Sequence, residues 1–227
     1  MFDAIDFDLL MIRNCNFMKK LVSLFALMLL PVFAFAANYT EGEHYTKVSE
    51  EITTKPEVRE FFSFYCPHCF QFEPFMAKLK TSIPADTAFE MNHVDFLRAA
   101  SPKVQQMLSK AVVVAHQMGV EKKVIGAMFN YIHVQKAVFT SEKDIRNVFV
   151  LNGADGEKFD KLMKSFGVAS KAKNMKKQQD YFVKKGALTG VPTVIVNGKY
   201  RVDTKGLDRS NFEQDYINLV NHLLTLK

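Results

Sequence analysis

The sequence predicts an α/β fold interrupted by an all-helical insertion, and three observations carry that reading. A short apolar run at 58–64, VREFFSF, leads straight into a segment with helical spacing. Residues 101–188 then hold one helical pattern after another with no strand signal between them. The strand signal returns only at 194–202, VIVNGKYRV, ahead of a last amphipathic segment.

Taken in order, 58–64 reads as a buried strand because it is apolar, aromatic and bounded by Lys55-Pro56. From Cys69 to about Leu79, apolar Phe72, Phe75, Met76 and Leu79 recur at helical spacing. Pro67 suits the first turn of that helix, where a missing N–H costs nothing, whereas Pro74 lies inside it and predicts a kink. Residues 88–96, AFEMNHVDF, form the next strand. Ser101-Pro102 caps and starts a helix that Gly119 ends, and 124–134 is a second. Ser141-x-x-Asp144 has the form of a capping box ahead of IRNVFVLNG, with Gly153 as the stop. A fourth helix is expected over 155–166 and a long basic fifth over 169–188. Asn197-Gly198 is the preferred type I′ turn of a hairpin. Ser210-x-x-Glu213 then marks the cap of the closing helix, FEQDYINLVNHLLTL.

The first 36 residues read as an address. From Met18, MKKLVSLFALMLLPVFAFAA gives two lysines, an apolar run, Pro31 and small residues at Ala34 and Ala36. That is the order of a secretory signal peptide, with cleavage expected after Ala36. The apolar run at 21–30 is short for a bilayer span, and Pro31 interrupts it. Asp3, Asp6 and Asp8 make a poor start to such a leader, which points to translation from Met18 and leaves residues 1–17 in question. Cys15 leaves with the leader in either case. The expected domains are therefore 1–36 as the leader, 37–100 and 171–227 as two parts of one α/β domain, and 101–170 as the insertion.

The chain carries a formal net charge of +6, and the excess lies mainly in the lysine-rich stretch 158–185. At helical spacing such a run reads first as a solvated face, and export argues against nucleic acid as a partner.

Export also changes the meaning of the cysteines. Beyond the leader only Cys66 and Cys69 remain, inside FFSFYCPHCFQFEPF, and in an oxidising compartment disulfides persist. Such a pair can hold a metal, form an inert bridge or cycle electrons. A bridge across two residues closes almost no loop and is a weak staple. Zinc needs two more ligands, and His44, His93, His116, His133 and His222 are scattered with no ligand spacing.

EFFSFYCPHC, the late GVPT at 190–193 followed by VNGKY, and the leader together resemble the DsbA family of periplasmic thiol:disulfide oxidoreductases. The resemblance runs over nearly the whole exported chain and implies a thioredoxin-like fold with an inserted all-helical domain. It implies a periplasmic monomer with no cofactor beyond a redox-active disulfide, Cys66–Cys69. It further implies donation of that disulfide to newly exported proteins with free thiols, and reoxidation by a DsbB-like, quinone-linked membrane partner. A reductase or isomerase on the same fold is the nearest rival, and a non-enzymatic peptide-binding module is a rival of another class.

The residues suit that chemistry. Only the thiolate attacks or leaves in disulfide exchange. Cys66 stands before a helix N-terminus, whose free N–H groups favour negative charge, and His68 offers a further donor toward the sulfur. Cys66 is expected as the nucleophile that carries the mixed disulfide, and Cys69, a turn further in, as the resolving thiol. Pro67 and His68 form the dipeptide that tunes the pair. By resemblance Pro192 is cis and faces the cysteines, leaving the Val191 backbone to pair with an extended substrate. The family also carries a buried acid at the place of Glu60, where burial favours a role as proton handler for Cys69; pairing with Arg59 is the bland alternative. Glu73 adds charge nearby. Some relatives carry a lysine on the following strand where this chain has Met91, which removes a partner Glu60 would otherwise have.

Overall fold

The computed structural model describes residues 39–226, so the expected leader and Cys15 lie outside the described residues. Among the described residues one five-stranded sheet is formed, in the order β1-β5-β4-β2-β3. The strands are β1 (Tyr45–Lys47), β2 (Glu57–Phe62), β3 (Ala88–His93), β4 (Thr193–Val196) and β5 (Tyr200–Val202). β2 runs parallel to β3, and the remaining pairs are antiparallel. Its alternation explains its central place. Val58, Glu60 and Phe62 face one way, Arg59 and Phe61 the other, and all five are buried.

α1 (Pro67–Ser82) follows β2 directly. Phe75, Met76 and Leu79 of α1 pack with Val58, Val194 and Val196 and with Tyr216, Leu219, Val220 and Leu223 of the closing helix, α7 (Phe212–Thr225). The opposite face of the sheet packs Phe61 and Ile195 against Phe182.

Between β3 and β4 run five helices: α2 (Pro102–Gln117), α3 (Glu121–His133), α4 (Glu142–Leu151), α5 (Gly156–Met163) and α6 (Phe166–Lys184). The Ser101 hydroxyl accepts from the Val104 N–H, capping α2 as its sequence predicts. Asp144 Oδ2 reaches back to the Ser141 N–H at 2.9 Å, the returning half of the expected box. The core of these helices, with Leu108, Val114, Met128, Phe129, Ile145 and Phe149, is continuous with Phe62, Phe64, Cys66 and Cys69. Thus the cysteines rest where the helical block meets the end of β2.

Asn197 and Gly198 both take positive φ, 52° and 66°, as a type I′ turn requires. Three expectations change. β1 has no counterpart in the sequence reading; it is a three-residue edge strand held by β5. The fourth and fifth helices divide at Ser165, whose hydroxyl caps α6 through the Val168 N–H. Ser210 does not cap α7: its hydroxyl turns to Asp208 at 2.7 Å, and Asn211 occupies the cap position.

Candidate active site

The turn from β2 into α1 is built by Ser63, whose carbonyl accepts from the Cys66 N–H at 3.1 Å and whose hydroxyl accepts from the Tyr65 N–H at 3.2 Å. This leaves Cys66 at the N-cap of α1 with extended backbone, φ −90° and ψ 115°. Its sulfur accepts from the Cys69 N–H at 3.3 Å, where a capping side-chain oxygen usually sits. A negative charge on that sulfur meets a backbone N–H and the positive end of the helix. Both thiols are free; Cys66 is 7% exposed and Cys69 only 1%. Pro67 and His68 between them are exposed, and the N–H that reaches Cys66 Sγ is the Cys69 amide, with His68 standing outside this contact.

A second segment meets the first from 125 residues away. The Cys66 thiol donates to the Val191 carbonyl at 3.3 Å, and the Val191–Pro192 peptide bond is cis. The Thr193 hydroxyl donates to the Gly190 carbonyl at 2.8 Å, bracing the loop just where β4 begins beside Phe61 of β2.

Glu60 is 3% exposed and does not pair with Arg59. Strand alternation sends Arg59 to the other face, where it grips Glu57 at 2.8 and 2.9 Å and Asn92 at 3.1 Å. Met91 stands directly opposite Glu60 in the parallel register. Glu60 Oε2 is buried without a hydrogen-bond partner. Burial, and then the negative Glu73 and Glu121, push its carboxyl up to about 8. The Cys69 thiol is pushed far up, first by burial, then by its hydrogen bond to Cys66, with Glu60 among the further causes.

Glu60, Glu73, Met91, His116 and Glu121 line a shared groove of about 900 Å³. Burial also raises the Glu73 carboxyl. Glu121 at the start of α3 binds Lys80 of α1 and lies 2.8 Å from His116 Nδ1 of α2, so one carboxylate ties three helices. Sequence spacing gave no sign of it, since its partners are 41 and 5 residues away.

Two histidines prove structural in ways their scatter hid. His133 Nε2 donates to the Phe64 carbonyl at 2.8 Å, and its ring stacks on Phe70 at 5.0 Å, walling the cysteine turn. His93 is 2% exposed, bonded through Nδ1 to Ser109 Oγ at 3.0 Å, and burial pushes it down to about 3, so it is neutral. Among the described residues no group of three or more His, Cys, Asp or Glu is placed to hold a metal ion.

The arrangement is similar to proteins already known. A family model described as the DSBA-like thioredoxin domain matches residues 57–218. The thiol:disulfide interchange protein DsbA of Dickeya dadantii is 38% identical over 216 residues, covering 92% of this chain and all of that protein. Its counterpart from Yersinia pestis is 39% identical over 198 residues, covering 85% and 91%. Among solved structures, Proteus mirabilis DsbA with a non-covalently bound peptide, PWATCDS, aligns with a TM-score of 0.73 at 31% identity, covering 84% of this chain and 100% of that one.

Proposed function

The chain belongs to the DSBA-like thioredoxin domain family, and from that premise we propose that this dithiol:disulfide oxidoreductase works as an oxidant, donating a Cys66–Cys69 disulfide to exported proteins in the periplasm. The observation that carries the reading is the seat of the Cys66 sulfur at the N-cap of α1, where it accepts from the Cys69 N–H at 3.3 Å. An oxidant must hold its reduced form at low free energy, and a helix cap that welcomes a thiolate does so.

In the forward cycle a substrate thiolate attacks Cys66 Sγ, forming the mixed disulfide and breaking the Cys66–Cys69 bond. Cys69 departs with the electron pair. Its buried thiol strongly disfavours charge, so it must take a proton as it leaves. Glu60, near 8 and therefore largely protonated at neutral pH, is the donor suited to that step. A second substrate thiolate then attacks the substrate sulfur of the mixed disulfide and expels the Cys66 thiolate. The substrate has lost two electrons and the Cys66–Cys69 pair has gained them. Return to the disulfide requires an external two-electron acceptor, which we assign to a DsbB-like, quinone-linked membrane oxidase.

Val191 and Pro192 form the substrate shelf. The Val191 backbone lies against the reacting sulfur and suits pairing with an extended chain of any sequence. That the Proteus mirabilis relative holds a peptide supports polypeptide as the substrate class. The acting unit is a monomer.

The test is equilibration of the purified protein against a glutathione series, read as the fraction of Cys66–Cys69 disulfide, together with turnover on a reduced, unfolded substrate. An oxidising potential with turnover lost in Cys66→Ser supports the proposal. A potential near that of thioredoxin, about −270 mV, overturns it and leaves a reductase.

A further inference from the structure

The lysine-rich stretch plays no part in the thiol chemistry. From 158 to 185 there are nine lysines against two acidic residues, so this stretch alone exceeds the +6 of the whole chain. Lys176 pairs with Asp95 and Asp180, but Lys158, Lys161, Lys164, Lys171, Lys173 and Lys177 are exposed and have no ion-pair partner among the described residues. In their midst, at the first position of α6, Phe166 is 88% exposed. Phe166 is the most exposed large apolar side chain among the described residues, and it stands in a field of unpaired lysines.

Geometry puts Phe166, Lys173 and Lys177 on one side. Phe166, Ser170, Lys173 and Lys177 follow one another at helical spacing along the exposed face of α6, while Val168, Gln179 and Phe182 form its buried face. The stripe from Phe166 to Lys177 is about 16 Å long, at ~1.5 Å per residue. Lys161 and Lys164 flank Phe166 from the end of α5, across the Ser165 corner. Phe166 stands at the corner between α5 and α6, outside the groove of about 430 Å³ that Lys173 and Lys177 line beside α6, so a peptide seated in that groove would leave the ring uncovered. A bilayer interface can receive the ring while the lysines meet headgroups.

We propose that the α5–α6 corner is a docking surface for an anionic phospholipid bilayer, with Phe166 entering the interface and Lys164, Lys173 and Lys177 contacting phosphate headgroups. Docking of this kind holds an exported protein in the two-dimensional neighbourhood of the membrane. It does not depend on the proposed direction of the redox cycle.

The experiment is co-sedimentation of the purified protein with vesicles of phosphatidylcholine alone or with added phosphatidylglycerol, at low and high salt. Wild type, Phe166→Ser and Lys173→Gln/Lys177→Gln all carry the same N-terminus, so any contribution from the apolar run at 21–30 cancels. Turnover on a reduced substrate verifies that the variants fold. Expected are binding that needs phosphatidylglycerol and fades with salt, about fivefold weakening for each lysine neutralised, and a clear loss in Phe166→Ser. Equal sedimentation with both vesicle types overturns the proposal, as does binding unchanged in the variants. Binding that ignores Phe166→Ser and is competed away by polyglutamate overturns it too, and assigns the surface to acidic polypeptide.

Discussion

Replacing Glu60 by Gln removes one ionisable group and leaves a side chain of nearly the same shape. In the fold the carboxyl is held near 8 against an ordinary value of 4.5. The folded protein therefore binds more protons than the unfolded chain across that window. Stability from this group is fully present below 4.5 and is lost as pH rises through 8. Integrating the linkage gives a penalty for wild type of about 1 kcal/mol at pH 5 and about 3 kcal/mol at pH 7. Glu60→Gln abolishes the penalty, at a fixed cost of about 1–3 kcal/mol for placing an amide where Oε2 already lacks a partner. That fixed cost does not vary with pH, so the slope is the clean readout. The assay is urea unfolding of both reduced proteins at several pH values from 5 to 8. The stability difference should move in favour of the variant by about 2 kcal/mol between pH 5 and pH 7. A pH-independent difference would refute the assignment of a buried, protonated Glu60 and with it the proton donor for Cys69.

Further expectations follow from other residues. His93, near 3 in the fold against 6.5, contributes stability above 6.5 that is lost as pH falls toward 3; by linkage wild type gives up about 2 kcal/mol by pH 5, and His93→Gln flattens that limb of a pH–stability profile. The Glu60 and His93 slopes oppose each other between 4.5 and 6.5, so wild type itself should show little pH dependence there and each group must be read against its own variant. Cys66→Ser retains an oxygen cap and should change the unfolding free energy from urea titration by less than about 1 kcal/mol while abolishing turnover. Leu79, fully buried between α1 and α7, should cost about 3 kcal/mol as Leu79→Ala, measured by thermal or urea unfolding.

The parts legible in the sequence were those written locally. A proline at N1 after Cys66, Ser101 before Pro102 and the Asn197-Gly198 turn each carry their own geometry, and each stands where the spacing put it. Parts decided by distant partners were not legible. β1 is too short to show alternation and is a strand only because β5 lies beside it. Ser210 has the right spacing for a cap but finds Asp208 closer. Glu121 looks like any surface acid until Lys80 and His116 are folded against it. Arg59 and Glu60 are neighbours in sequence, and the pleat alone parts them. At the candidate site the cysteines and the Val191–Pro192 loop were visible as motifs; the wall made by Phe70 and His133 was not, because a lone histidine names no partner.

The two residues between the cysteines are in water while the cysteines themselves are buried. A substitution at Pro67 or His68 therefore alters the exposed first turn of α1 without opening a cavity or breaking a core contact. The surface chemistry beside the thiols and the robustness of the fold become separately adjustable quantities. A lineage, or an engineer, can vary that dipeptide while the core that holds the two thiols stays as it is.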